Sequence, residues 1–236
     1  MDPDEAVAGP LAEHGLVKVC GLTDAEGIEA AAAAGADLIG LVFVPASKRC
    51  VTPRRAGALG RRPRGGAALV GLFQDPALSE IEEVLERVPL DMIQLHGAET
   101  HDDVARIGAA FGLPVIKAVG VRGPGDLYEA AGCPADLMLY DAKPPGGAAA
   151  GGGHGAAFDW SVLGMAAHTR PWLLAGGLTP QNVGAAVSAC APLPGFAGVD
   201  VSSGVEHAPG RKDAGLVARF ASEARAAMAA ALPGER

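Results

Sequence analysis

Eight short β-rich runs, spread along nearly the whole chain, limit what it can fold into more than any other feature. They are LVKVC (16–20), DLIGLVF (37–43), AALVGLF (67–73), DMIQL (91–95), PVIKAV (114–119), ADLMLY (135–140), PWLLA (171–175) and FAGVD (196–200). Most are almost continuously apolar, without polar–apolar alternation. A strand of that kind is buried on both faces, the condition inside a parallel sheet covered by helices. The segments between the runs carry helical signals. Ile81, Val84, Leu85 and Val88 share one face at i, i+3, i+4, i+7 spacing. Thr23 with Glu26 reads as a capping box. Thr52-Pro53, Asp75-Pro76 and Thr179-Pro180 each set a capping oxygen before a proline, whose missing N–H is harmless in a first turn. Gly35, Gly112 and Gly132 stand where helices should stop. Eight strand–helix units joined by right-handed crossovers close most simply into a single-domain (β/α)8 TIM barrel, an α/β fold. An open doubly wound sheet is the runner-up. The barrel domain is expected over 15–232, with residues 1–14 as a lead-in and a closing helix from about Arg211 onward.

Composition narrows the partners. The 236 residues are 49% hydrophobic, ample for one large core, and carry a formal net charge of −8. Nucleic acid and anionic membrane surfaces need clustered positive charge, so neither is an expected partner. The cysteines Cys20, Cys50, Cys133 and Cys190 are widely spaced, with no C-x-x-C pair. That is neither a zinc pattern nor a disulfide framework, and reduced thiols in a cytoplasmic protein are the simplest account. The acidic start MDPDEAVAGP lacks the basic-then-apolar order of a signal peptide, and no apolar run is long enough to span a bilayer. Charged helix faces without a large apolar patch make a monomer the expectation.

In a barrel of this type the active site is built where strands end and the following loops begin. Cys20 ends the first run, and QLHG closes the fourth with Gln94 and His96. By the period-2 rule Lys18 shares a face with Cys20, so a buried Lys18 needs a carboxylate partner such as Asp200 or Asp141. After runs seven and eight come Gly176-Gly177 and Ser202-Ser203-Gly204. Glycines and serines there can aim backbone N–H groups and hydroxyls at one point, the corner where many barrels hold a phosphate. The plainer alternative is that they are only turns, which glycine and serine also favour. Cys20 could likewise be a small buried hydrophobe instead of a reactive thiol.

The ordered segments KVCGLT, GLVF…SKRCV, VGLF, QLHG, LYDAK, GAAFDW, AGGLTPQNV and GVDVSSGVE resemble the phosphoribosylanthranilate isomerase family from about Leu16 to the last helix. The resemblance implies a cofactor-free, metal-free Amadori rearrangement of N-(5-phosphoribosyl)anthranilate, the third step from chorismate to tryptophan. It implies Cys20 as general base and Asp159 as general acid. Arg49 would grip the anthranilate carboxylate, and Asp200 would contact the anthranilate amine or the ribose. Gln94 and His96 would shape or hydrogen-bond the pocket. Gly176, Gly177, Ser202, Ser203 and Gly204 would hold the phosphate. A thiol with an ordinary pKa near ~8.5 needs only modest tuning for base work, and an acid at neutral pH would need an apolar setting such as Phe158 and Trp160. The loop before FDW departs from the family's usual hydroxyl and lysine pattern, with His154 and alanines in their place. Two other readings remain: a related phosphate-binding isomerase of histidine biosynthesis, which is expected to carry aspartate where Cys20 stands, and a non-catalytic barrel that senses a phosphometabolite.

Overall fold

The computed structural model describes residues 15–142 and 160–231. The expected lead-in at 1–14 and the Gly/Ala-rich loop with Lys143, His154, Phe158 and Asp159 lie outside them. The eight runs form strands β1 (Leu16–Cys20), β2 (Leu38–Val42), β3 (Ala68–Phe73), β4 (Met92–Leu95), β5 (Val115–Val121), β6 (Leu137–Ala142), β7 (Trp172–Ala175) and β8 (Phe196–Val201). All pair in parallel and in chain order, and β8 returns to β1 to close the barrel. The doubly wound alternative is thereby excluded. Alternation along each strand explains the apolar runs. Leu16, Leu38, Val70, Met92, Ile116, Leu137, Leu139 and Leu173 fill the barrel interior. Their neighbours Val17, Ile39, Leu69, Ile93, Val115 and Leu174 pack outward against helices. Along the eight barrel strands only Gly120 is exposed among the described residues.

The covering helices are α1 (Ala25–Ala33), α2 (Pro53–Gly60), α3 (Leu78–Leu85), α4 (His101–Phe111), α5 (Pro124–Ala130), α6 (Val183–Cys190) and α7 (Ala214–Ala231). Between β6 and β7 the described residues hold only a 3₁₀ turn, Trp160–Met165, where an eighth α-helix was expected. Gly112 caps α4 with φ +63°, and Gly35 and Gly132 also take the left-handed conformation, as read from the sequence. Thr52 accepts from the Arg55 amide and starts α2 as expected.

Other caps differ because tertiary contacts recruit the side chains. Asp24, not Thr23, caps α1 by accepting from Gly27 N, whereas Thr23 Oγ1 donates to Gly210 O at 2.6 Å. Asp75 has φ +47°, and its carboxylate accepts from Ala98 N at 2.6 Å, joining the β3 and β4 loops. Helix α3 begins instead after Ala77, whose N–H is met by Glu80. Thr179-Pro180 opens a turn, and α6 starts only at Val183. Arg211 and Lys212 form a short strand β10 that pairs antiparallel with β9 (Glu206–Ala208), so the closing helix begins at Ala214.

The N-terminal rim of the barrel repeats one device. Asp37, Asp91 and Asp136, each just before an even-numbered strand, accept from the amides of Val17, Leu69 and Val115 on the preceding strand at 2.8, 2.7 and 2.7 Å. Each satisfies a strand-end donor that would otherwise face a half-buried rim.

Candidate active site

At the opposite rim, β1 delivers Cys20 to a cavity of about 340 Å³. The strand needs room there, and β2 provides it. Gly40 is the register partner of Cys20, and a Cβ on residue 40 would lie 2.6 Å from the Cys20 sulfur. The next residue, Gly21, turns away with φ +76°, and its bare Cα lets the Arg49 stem cross it; a Cβ would sit 2.3 Å from Arg49 Cδ. Two residues deeper on the same face, Lys18 is fully buried and donates to Asp200 Oδ1 at 2.6 Å, one of the two carboxylates its position suggested. Lys18 and Asp200 are register partners across β1 and β8. Burial by itself would lower the Lys18 pKa. The charges of Asp200 and Cys20 and their hydrogen bonds outweigh it and hold the ammonium above its ordinary value.

Arg49 lines the cavity from the loop after β2. Its Nε and Nη2 donate to Glu206 Oε1 and Oε2 at 2.7 and 2.8 Å, a fork that raises its pKa further. Glu206 also accepts from Lys212 Nζ at 2.8 Å, and Lys212 reaches Ser202 O at 3.0 Å. Burial lowers the Lys212 pKa more than the Glu206 contact raises it. Across the cavity Gln94 is 1% exposed, and its Nε2 lies 3.1 Å from His96 Nδ1. Its Oε1 has no partner among the described residues. His96 Nε2 faces Asp141 Oδ2 at 3.7 Å.

The remaining wall is the Gly176-Gly177 loop and the 3₁₀ turn Ser203–Val205 after Ser202. Gly176 and Gly177 line the cavity with φ +94° and +64°, a left-handed backbone that glycine adopts without a side-chain clash. The two loops touch through Gly204, where a Cβ would lie 1.9 Å from Leu178 O. Cys20, Arg49, Gln94, His96, Gly176, Gly177, Asp200, Ser202, Ser203 and Gly204 therefore line one cavity. Asp159 lies outside the described residues. Three contributors escaped the sequence reading: Gly40, Glu206 and Lys212. The short GVEHAPGRK stretch carried a signal for the last two, since Pro209-Gly210 between Glu206 and Arg211-Lys212 fits a hairpin turn.

A thiol, an arginine with one open edge and two loops of backbone donors suit a ligand with a carboxylate at one end and a phosphate at the other. The comparisons agree. A family model described as N-(5'phosphoribosyl)anthranilate (PRA) isomerase matches residues 17–223. The chain belongs to this family. The N-(5'-phosphoribosyl)anthranilate isomerase of Paracoccus denitrificans is 51% identical over 212 residues, covering 89% of this chain and 97% of that protein. A crystal structure of phosphoribosyl anthranilate isomerase in complex with reduced 1-(o-carboxyphenylamino)-1-deoxyribulose 5-phosphate superposes with a TM-score of 0.77. It is 33% identical and covers 90% of this chain and 99% of that one. Monomers generated from the dimeric phosphoribosylanthranilate isomerase of Thermotoga maritima give a TM-score of 0.75 at 33% identity, covering 89% of this chain and 98% of theirs. Among the described residues no helix is long and apolar enough to cross a membrane.

Proposed function

We propose that this barrel converts N-(5-phosphoribosyl)anthranilate into 1-(2-carboxyphenylamino)-1-deoxyribulose 5-phosphate, the third step of tryptophan biosynthesis from chorismate. The observation that carries the reading is the meeting of Cys20, the Arg49 edge and the Gly177–Ser203 wall in one cavity. The phosphate sits against Gly176, Gly177, Ser202, Ser203 and Gly204, where backbone donors and the start of a 3₁₀ turn favour an anion. The anthranilate carboxylate takes the Nη1/Nη2 edge of Arg49, because the Nε edge is already used on Glu206. Asp200 gives Oδ1 to Lys18, which leaves Oδ2 for the anthranilate amine.

The ring between these ends then faces Cys20. Asp159 protonates the furanose oxygen as the C1′–O bond breaks, with the nitrogen lone pair forming a protonated imine. Cys20 takes the C2′ proton, and the electron pair it leaves behind neutralises the imine as an enolamine. The enolamine gains a proton at C1′ and loses one from the 2′-oxygen to give the aminoketose. Freshly prepared substrate mixed with purified protein should lose its anthranilate fluorescence at a rate proportional to enzyme. No turnover would overturn the reading.

We also propose a monomer. Among the described residues the large apolar side chains left exposed are Tyr128 and Met165, and Tyr128 Oη donates to Met165 O, so they form one small patch. Sedimentation at micromolar concentration should give a single species of the chain's mass, 23.6 kDa. A 47 kDa species (2 × 23.6) would refute it.

A further inference from the structure

Glu206 presents a nearly buried carboxylate to two cations. Its side chain is 5% exposed, and both oxygens are taken by Arg49, with Lys212 sharing Oε1. Lys212 is equally committed. Its side chain is fully buried, and its Nζ reaches Glu206 Oε1, Ser202 O and Ser202 Oγ, at 3.5 Å for the last. Three donors on three protein acceptors leave nothing for substrate. Arg49 is different. Two of its five N–H groups go to Glu206, and Nη1 has no acceptor among the described residues. The hairpin that carries Glu206 and Lys212 is itself fastened to the barrel rim. Its turn residue Gly210 accepts from Thr23 Oγ1, and Arg211 pairs with Asp24 at 3.3 Å. Gly210 also lies under the Arg49 stem, where a Cβ would come within 4.0 Å of Arg49 Cγ.

These contacts join the two ends of the cavity. On one side Glu206 fixes the plane and rotation of the Arg49 guanidinium. On the other, Lys212 ties the Ser202 carbonyl and hydroxyl at the entrance to the phosphate loop. We propose that Glu206 is a positioning residue that acts through Arg49. By clamping the Nε edge it aims the Nη1/Nη2 edge at the substrate carboxylate, and through Lys212 it sets that edge at a fixed distance from the phosphate loop. The β9–β10 hairpin is thus a spacer matched to a ligand with two anionic ends. This rests on the reading that Arg49 receives the anthranilate carboxylate.

The test compares two ligands on each protein: the reduced aminoketose phosphate and its counterpart lacking the ring carboxylate, with dissociation constants measured by calorimetry. The parent protein should prefer the carboxylated ligand. Glu206→Gln should weaken that ligand about tenfold or more, the worth of one well-placed charge-assisted hydrogen bond, and leave the decarboxylated one within about twofold. It should raise KM while kcat stays within about threefold. Adding Glu206→Gln to Arg49→Ala should cost nothing further for either ligand. Should Glu206→Gln fail to fold, Glu206→Asp keeps the charge, shortens the arm and reads the same ligand ratio, with a smaller loss. Equal weakening of both ligands by the Glu206 variant, or none, overturns the proposal. A parent protein that does not distinguish the two ligands overturns the carboxylate role of Arg49 instead.

Discussion

Gly40→Ala tests the placement of the Cys20 thiol without touching it. The added Cβ would stand 2.6 Å from the sulfur, 3.1 Å from Cys20 Cα and 3.2 Å from its Cβ. Non-bonded heavy atoms settle near about 3.5–4.0 Å, so the sulfur must move by about 1 Å or β1 and β2 must part by several tenths. Rotating χ1 clears the sulfur but leaves the two carbons of Cys20 crowded. The strain falls in the range of other overpacked cores, about 1–3 kcal/mol, and should appear as a lower urea midpoint. A reacting group displaced by ~1 Å costs about a hundredfold in rate, so kcat should fall by that order. Affinity for the reduced aminoketose phosphate should stay near the parent value, because both anionic ends are held elsewhere. Gly108→Ala in α4 is the control. Its nearest contact would be an ordinary 3.5 Å to Val115 Cγ2, and the substitution should stabilise the helix by up to about 1 kcal/mol with activity unchanged. If Gly40→Ala keeps kcat within about twofold while losing stability as expected, the reaction does not depend on where the thiol points. Cys20 would then not be the base.

Cys20→Ser should lose orders of magnitude in kcat with little change in ligand affinity, and Asp159→Asn should do the same in the fluorescence assay; near-parent turnover in either removes that residue from acid–base work. Asp136→Ala leaves the Val115 amide without its 2.7 Å acceptor at the rim far from the cavity, so it should cost about 1–2 kcal/mol in urea unfolding and leave kcat/KM as it was. Burial would raise the Glu99 and Glu206 carboxyls, but the hydrogen bonds from Lys117 and from Arg49 and Lys212 outweigh it and hold both below the ordinary range. Because the folded values are depressed, their stabilisation is complete above the unfolded value of about 4.3 and is lost as pH falls from there through the folded values; a urea midpoint that stays level across that interval would contradict it.

The strands were legible because burial on both faces writes itself as continuous apolar runs, and β1, β2 and β3 fall within a residue of where the runs lie. Caps were less legible, because the same short polar residues serve local and distant partners. Asp75-Pro76 looks like a helix start, yet Asp75 is worth more linking two loops through Ala98 N. Thr23 is drawn off α1 by Gly210, a residue 187 positions away, and Asp24 takes its place. The site divides along the same line. Cys20, Arg49 and the glycine–serine loops could be named from strand-end position and resemblance. Strand parity and the cost of a buried ammonium called for a carboxylate beside Lys18 and left Asp200 and Asp141 open; the structure pairs it with Asp200. Gly40 could not be found this way, since a glycine inside an apolar strand says only that something comes close. Glu206 escaped because its role depends on a hairpin that folds back over Arg49, and no local period encodes that return.

The charge arrangement explains how an acidic chain, at −8 overall, can hold a doubly anionic ligand. Among the described residues at and just behind the cavity, Lys18, Arg49 and Lys212 stand against Asp141, Asp200 and Glu206, three cations to three anions. On the proposed reading, an excess of positive charge among these groups is not what binds the substrate. Lys18 and Lys212 are spent inside the protein, where each neutralises a carboxylate that would otherwise repel an incoming anion. What the proposed reading leaves for the ligand is directional: one edge of the Arg49 guanidinium, and the backbone of two loops held together by Gly204. Oriented donors of this kind need no reorganisation when the ligand arrives, and they discriminate by spacing rather than by charge. An anion with one end only would meet half of the donors. On the proposed reading, a ligand with both ends at the right separation meets all of them and lays its ring across the cavity that Cys20 lines.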